Sequence, residues 1–320
     1  MNILITGAAG YLGSALWAYL RDKGYDVWGL DNFSGSTPPV VDDSRFIKCD
    51  VMSQEAVKLV EATDPEVVVH MAAMSNPALS EQFPHQAWTN NIGGLTAVMC
   101  WPGAETRRLI FSSTGGVYDQ NFATEDGFKE HSPVGPVSMY SKTKLAGEWR
   151  IEADKMYRTA VIFRYFVVAG AYKDKSGKWW GQRRPNDNHL FPTIMDVATG
   201  QKPELFINGT DHPTPDGSPV RDFVHVNDLI EVHERAILGL FSDRIERFNI
   251  GTGLGYSVRE IIKSAEQVTG KKLPTKVGPC RAGDPHTLVG NTEWMKTRLG
   301  WEPKLGLKDM LRDEWSYRTA

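Results

Sequence analysis

Cysteine is scarce in this chain, and neither sign of charge dominates. Of 320 residues only Cys49, Cys100 and Cys280 are cysteines. No two form a Cys-x-x-Cys pair, which excludes a disulfide framework and a cysteine zinc site and suits a reducing compartment. We read them as buried thiols. The 36 Lys and Arg residues nearly balance the 39 Asp and Glu residues, for a net charge of -3. Without a like-charge block, a nucleic-acid footprint and a polybasic membrane anchor are both excluded. No apolar run approaches the ~18 residues of a membrane span, and Met1-Asn2-Ile3-Leu4 carries no basic leader. Fixed-period repeats and low-complexity tracts are missing as well. A cytoplasmic globular protein with a small-molecule partner is expected, and its length allows about two domains of ~150 residues.

What is present is alternation. Short β-rich runs at Asn2 to Thr6, Asp26 to Leu30, Arg45 to Lys48, Glu66 to His70, Arg107 to Ser112 and Ala160 to Arg164 are separated by amphipathic segments. That order predicts βαβ units on a doubly wound parallel sheet of the Rossmann type, with helices on both faces. After about residue 168 the texture becomes Trp- and turn-rich, then helical again at Val226 to Leu240 and Val258 to Thr269. We therefore expect a dinucleotide-binding domain over 1–168 and a smaller mixed α/β substrate lobe over 169–320, with parts of 222–252 packing back on the first domain.

Gly7-Ala8-Ala9-Gly10-Tyr11-Leu12-Gly13 follows the first strand and opens a helix. Glycines there permit a tight turn and let a pyrophosphate approach the free N–H groups of the helix start. Asp31, eighteen residues after Gly13, ends the second strand, where a carboxylate accepts from both ribose hydroxyls and repels a 2′-phosphate. This favours NAD over NADP. Asn32, Ser34 and Ser36 follow it on the same side, Asp50-Val51 is placed to meet the adenine edge, and Ala72-Ala73-Met74 offers small side chains at a fourth strand end. Tyr140 and Lys144 are i and i+4 in Tyr140-Ser141-Lys142-Thr143-Lys144. On a helix they share a face, so an ammonium can favour the phenolate and make a phenol of ordinary pKa ~10 a general base. Thr114, ending Ser112-Ser113-Thr114, supplies a hydroxyl that can orient a substrate hydroxyl.

Together with Val117-Tyr118 and Arg164-Tyr165-Phe166, these motifs resemble the extended short-chain dehydrogenase/reductase superfamily, nearly end to end. Thr214-Pro215-Asp216-Gly217, Arg221-Asp222-Phe223-Val224-His225-Val226, Phe248-Asn249-Ile250-Gly251 and Arg281-Ala282-Gly283-Asp284 are similar to the UDP-glucose 4-epimerase branch. The resemblance implies NAD as cofactor, a UDP-sugar as substrate and 4-epimerisation through a transient 4-keto sugar. A homodimer is expected separately, with Leu95 to Trp101 or Tyr140 to Tyr157 as helices that could pair, although an amphipathic helix more often packs on its own sheet. It implies Tyr11 and Leu12 along the pyrophosphate, Asn91 and Lys144 at the nicotinamide-side ribose, and Phe166 over the nicotinamide. For the sugar nucleotide it implies His189 and Leu190 near uracil, Phe206 and Asn208 near the base, Arg221 and Arg281 on the diphosphate, and Asp284 on the uridine ribose.

Three departures stand out. Val167-Val168 replaces the family's Asn-Pro, Ser75-Asn76 stands where a basic residue is frequent, and Leu288 occupies the position beside the sugar's C2 substituent. A sugar-nucleotide dehydratase or decarboxylase is a second reading, although Gly115-Gly116 stands where a dehydratase carries Asp-Glu. A non-catalytic NAD-sensing or scaffold protein is a third.

Overall fold

The computed structural model describes residues 1–35, 43–154, 157, 159–183, 189–239, 241, 244–280 and 285–320. In chain order the elements run β1 (Asn2–Thr6), α1 (Tyr11–Asp22), β2 (Asp26–Asp31), β3 (Phe46–Lys48), α2 (Gln54–Thr63), β4 (Val67–His70), α3 (Pro77–Gln82) and α4 (Pro84–Trp88). A π-helical turn (Thr89–Gly93), α5 (Gly94–Met99), β5 (Arg108–Thr114), α6 (Met139–Ala153) and β6 (Thr159–Tyr165) follow. Then come β7 (Val167–Ala169), β8 (Tyr172–Lys173), β9 (Trp179–Trp180), α7 (Leu190–Ala198), β10 (Leu205–Asn208), β11 (Val220–His225) and α8 (Val226–Leu238). The chain ends with β12 (Ile245–Ile250), β13 (Gly255–Ser257), α9 (Val258–Thr269), β14 (Thr275–Gly278), β15 (Thr287–Leu288), α10 (Glu293–Leu299) and α11 (Leu307–Thr319).

Two compact units result. The first takes Met1–Val117, Pro136–Arg164 and Val232–Phe248; the second takes Tyr118–Gly135, Tyr165–Glu231 and Asn249–Ala320. The segment 118–135, which composition did not mark, thus belongs with the second unit. The first unit carries a seven-stranded sheet of order β12-β6-β5-β4-β1-β2-β3. β1 pairs in parallel with β2 and β4, as do β2 with β3 and β4 with β5. Val67 to Val69 and Leu109 to Phe111 are buried throughout, as strands covered on both faces must be. In the second unit β11 is the organising strand, antiparallel to β13 and parallel to β15 and β7. A core of Ile194, Met195, Leu205, Phe223, Ile261 and Met310 packs there. Helix α9 starts with a Ser257/Glu260 capping box and stops at left-handed Gly270, so its ends are set by local chemistry. Among the described residues no helix is long and apolar enough to cross a membrane.

The cysteines correct one expectation. Cys49 is half-buried, while Cys100 and Cys280 are exposed. Cys100 caps the end of α5 beyond its buried face, and Cys280 follows β14, whose side chains are mostly exposed.

Helix α6 is tied to the sheet by charge. The Arg164 guanidinium on β6 donates through Nη2 to Glu148 Oε2 at 2.6 Å and through Nε to Oε1 at 3.0 Å. The Ser113 hydroxyl donates to the same carboxylate, and both charged side chains are almost fully buried. Removing one partner strands the other. Glu148→Ala should therefore lower the unfolding free energy by about 3–5 kcal/mol, read from urea denaturation. A loss below ~1 kcal/mol would show that the pair is solvated.

Candidate active site

The glycine loop leaves β1 through Gly7 at φ +71°, and a Cβ on Gly7 would lie 2.6 Å from the Ala72 nitrogen. A Cβ on Gly13 would lie 2.2 Å from the Gly7 carbonyl oxygen. These two positions exclude side chains for packing reasons. Gly10 is different: it is the N-cap of α1 and offers no side-chain cap, so the N–H groups at Tyr11, Leu12 and Gly13 open the helix without one. Asp31, at the end of β2, is buried and accepts from the Ala9 N–H at 2.8 Å and the Phe33 N–H at 2.7 Å. Burial raises its pKa, and those N–H bonds oppose the rise. Asn32 donates to Asp50 Oδ2 at 2.7 Å, which ties the ends of β2 and β3 together, and Ser34 N–H donates to Asn32 Oδ1 at 3.0 Å. A helix start with no side-chain cap and a carboxylate one strand away suits a dinucleotide.

Val51 is buried beside Asp50, and Ala72, Ala73 and Met74 follow β4. Asn91 lies in the π-helical turn, and its amide is engaged on three sides. It accepts from the Met74 N–H at 2.7 Å, and donates to Met74 O at 3.3 Å and to Thr143 Oγ1 at 2.8 Å. In this structure Asn91 therefore braces α6 against the strand end, a role its motif position did not announce.

Tyr140 and Lys144 stand on α6 with the Lys144 Nζ 5.9 Å from the Tyr140 ring centroid. Thr114 ends β5; its Oγ1 accepts the Gly116 N–H at 3.1 Å, and it is half-buried where Ser112 and Ser113 are buried. A Cβ on Gly116 would lie 2.5 Å from Ser141 Oγ. Gly115-Gly116 supplies no carboxylate at this strand end, which disfavours a dehydratase. Lys144 is only 3% exposed, and burial draws its pKa down to about 7. Behind it, buried His70 shares a 2.8 Å hydrogen bond with Thr6 Oγ1; burial first, and then the Lys144 charge, pull its pKa to about 3.

In the second unit Phe166 packs against Gly290, where a Cβ would lie 2.4 Å from the ring. Phe206 and Asn208 lie on β10, paired in register with Lys276 and Gly278 of β14; Phe206 is exposed. His189 is the N-cap of α7 and bonds Gln182 at 3.3 Å, while Leu190 packs partly on the local core. Arg221, half-buried on β11, donates to its neighbour Val220 O at 2.8 Å and is paired in register with Leu288. Ser36, Arg281 and Asp284 lie outside the described residues. The motifs also held an unassigned hub. Buried Asp222 accepts from Thr252 N–H at 2.7 Å, Gly253 N–H at 3.0 Å and Gly290 N–H at 3.2 Å, and its place between Arg221 and Phe223 was the available signal.

Residues 3–251 match the family model described as "NAD dependent epimerase/dehydratase family". The chain belongs to that family. More particularly, it is 36% identical to a UDP-glucose 4-epimerase of Corynebacterium glutamicum, across 100% of this chain and 96% of the relative. Its structure is similar to that of the Bifidobacterium longum UDP-glucose 4-epimerase in complex with NAD+ and UDP, with TM-score 0.91, 29% identity, and 100% and 98% of the two chains covered. It is also similar to UDP-glucuronic acid 4-epimerase from Bacillus cereus in complex with UDP-glucuronic acid and NAD, with TM-score 0.83, 28% identity, and 100% and 99% covered.

Burying Lys144 has a consequence for stability. Its folded pKa of about 7 lies below the ordinary 10.5, so between those values the unfolded chain binds more protons and stability rises with pH. Lys144→Met should remove much of that rise and, near pH 7.5, raise the melting temperature of the cofactor-free protein by about 2–4 °C. A lower melting temperature across pH 7 to 10 would contradict this.

Proposed function

We propose that the chain catalyses the 4-epimerisation of a UDP-sugar of the UDP-glucose/UDP-galactose type, using NAD. The reading rests on the observation that Tyr140 and Lys144 share α6 beside the end of β5, where Thr114 stands, in a chain that matches such epimerases over its full length. Gly7 to Gly13 would hold the pyrophosphate, and Asp31, Asn32, Ser34 and Ser36 with Asp50 and Val51 the adenosine half. Ala72, Ala73 and Met74 would line its path, Lys144 would bind the nicotinamide-side ribose, and Phe166 would cover the ring. NAD held there supplies the hydride acceptor and donor for C4. Tyr140, as phenolate, takes the C4 hydroxyl proton while C4 becomes a ketone, and returns it once hydride has been delivered to the other face. Thr114 orients that hydroxyl, and Lys144, as ammonium, favours the phenolate. A phenolate in turn favours the ammonium, offsetting the burial that lowers its pKa. In the second unit His189, Leu190, Phe206 and Asn208 are offered to uracil and Arg221 to the diphosphate, with Arg281 and Asp284 by family position. A guanidinium fork suits phosphate oxygens.

Tyr140→Phe should lower kcat by at least ~100-fold while leaving NAD content unchanged. Interconversion of UDP-galactose and UDP-glucose, followed by chromatography of both directions, is the measurement. Retention of most of the rate would remove Tyr140 as the base.

The same reading includes a homodimer and a cytoplasmic setting, the latter in keeping with three free cysteines. Leu79, Phe83 and Trp88 on or beside α3 and α4, and Trp149 on α6, are 44%, 45%, 47% and 56% exposed. Large apolar side chains exposed on adjoining helices would suit a self-association surface. The alternative helix, Leu95 to Trp101, offers less to a partner, since Leu95, Val98, Met99 and Trp101 are buried in the unit's own core. The candidate helix Tyr140 to Tyr157 ends at Ala153. Trp149→Glu should convert dimer to monomer in sedimentation velocity; a wild-type monomer at micromolar concentration would overturn the dimer.

A further inference from the structure

The ring beneath Lys144 is a residue that the motif reading left unassigned. Phe111 on β5 is buried, and the Lys144 Nζ stands 5.0 Å from its ring centroid. The His70 imidazole stacks on the same ring, with centroids 6.1 Å apart and planes 18° from parallel. Phe111 also closes on α6: a Cβ added to Gly147 would lie 2.7 Å from its Cζ, so ring and helix are in contact with no side chain between. The titratable group against this ring from the sheet is His70 on β4; the neighbouring helices carry Glu81 on α3, which accepts the Met139 N–H, and His85 on α4, both exposed. On α6 itself stand Tyr140 and Glu148, and Glu148 is committed to Arg164 and Ser113. His70 is neutral and contributes no counter-charge.

We propose that Phe111 is a positioning residue of the reaction, its ring face holding the Lys144 ammonium charged and beside Tyr140. An ammonium over an aromatic face is favoured by the ring quadrupole, most strongly when water is excluded. Lys144 is in that situation, and its burial otherwise favours the neutral amine, which would give Tyr140 no electrostatic help. The inference rests on the epimerase reading for its catalytic meaning, whereas the Lys144–Phe111 contact stands apart from it.

Replacing Phe111 by 3,5-difluorophenylalanine weakens the quadrupole and keeps the packing against Gly147. Lysine labelled with 13C at Cε reports the charge directly, the Lys144 resonance being the one lost in Lys144→Met. In the NAD-loaded protein its titration midpoint should fall by roughly half a unit to one unit. In the kcat profile the acid limb should move up, because Tyr140 ionises less readily, and the basic limb should move down. An unchanged Lys144 midpoint in the difluoro protein would overturn the proposal, as would a uniform loss of kcat with both limbs in place, which is what simple packing damage predicts. If Tyr140→Phe proved active, the base assignment would fail, and the midpoint would still decide the role of Phe111.

Discussion

Helix α6 turns a polar face inward, and the first unit is arranged to meet it. Ser141, Thr143, Lys144 and Glu148 are buried beside Leu145 and Ile151, while Trp149 is largely exposed, a departure from the apolar stripe that drives most helices onto a sheet. A buried polar face is tolerable only when its groups are partnered. Thr143 donates to the Tyr140 carbonyl at 2.7 Å and accepts from Asn91. Glu148 is held by Arg164 and Ser113. The bonds from Asn91, Arg164 and Ser113 come from three different elements, the π-helical turn, β6 and β5, so together they fix the helix in rotation as well as position. That is what a general base requires, since its oxygen must meet a hydroxyl within hydrogen-bond reach.

The parallel register does the rest of the assembly. Thr6 pairs with Leu30 and with His70, Asp31 with Lys48, and His70 with Phe111. Strands so aligned end at one edge, where Asp31 and Thr114 stand, with Tyr140 and Lys144 on α6. Asp31 shows the economy of the arrangement. One carboxylate, by accepting the Ala9 N–H, fixes the glycine loop, and it ends β2 at the same edge. On the proposed reading, loop geometry and cofactor recognition would be coupled through a single side chain.

The strands were legible because their apolar runs are continuous, and α9 was legible to the residue because its capping box and terminal glycine are local signals. The glycine loop, Asp31 and the Tyr140/Lys144 pair were legible because chemistry and spacing coincide within a few residues. What depends on residues far apart in sequence was not. The committed amide of Asn91, the Glu148–Arg164 pair, the Asp222 hub and the aromatic floor at Phe111 all arise from tertiary contact, and α6 lacks the apolar stripe that would have announced which side faces in. The cysteines failed for a related reason: composition speaks of average burial, whereas exposure at Cys100 and Cys280 follows from their places past a helix end and past an edge strand.

The departures from the family pattern bear on how the ligands are held. Asn76 stands where a basic residue is frequent, and its side chain caps α3 by accepting the Leu79 N–H at 3.2 Å. Its carboxamide is thus already engaged, which leaves more of the pyrophosphate to the backbone N–H groups of the uncapped α1. Val167 and Val168 stand where the family has Asn-Pro, and both are in β7, paired with Phe223 and Val224 of β11. A strand position with a β-branched side chain packs rather than donates, so an amide contact to the diphosphate is replaced by sheet pairing in the second unit. On the proposed reading, anion recognition would rest on guanidinium groups and main-chain donors. The latter are fixed by the fold itself, through the collision-limited glycines Gly7 and Gly13, and need no side-chain ordering when a dinucleotide binds. For a reaction that removes a hydride and restores it, with no net redox change, such a preformed and lasting cofactor site is the arrangement that the chemistry favours.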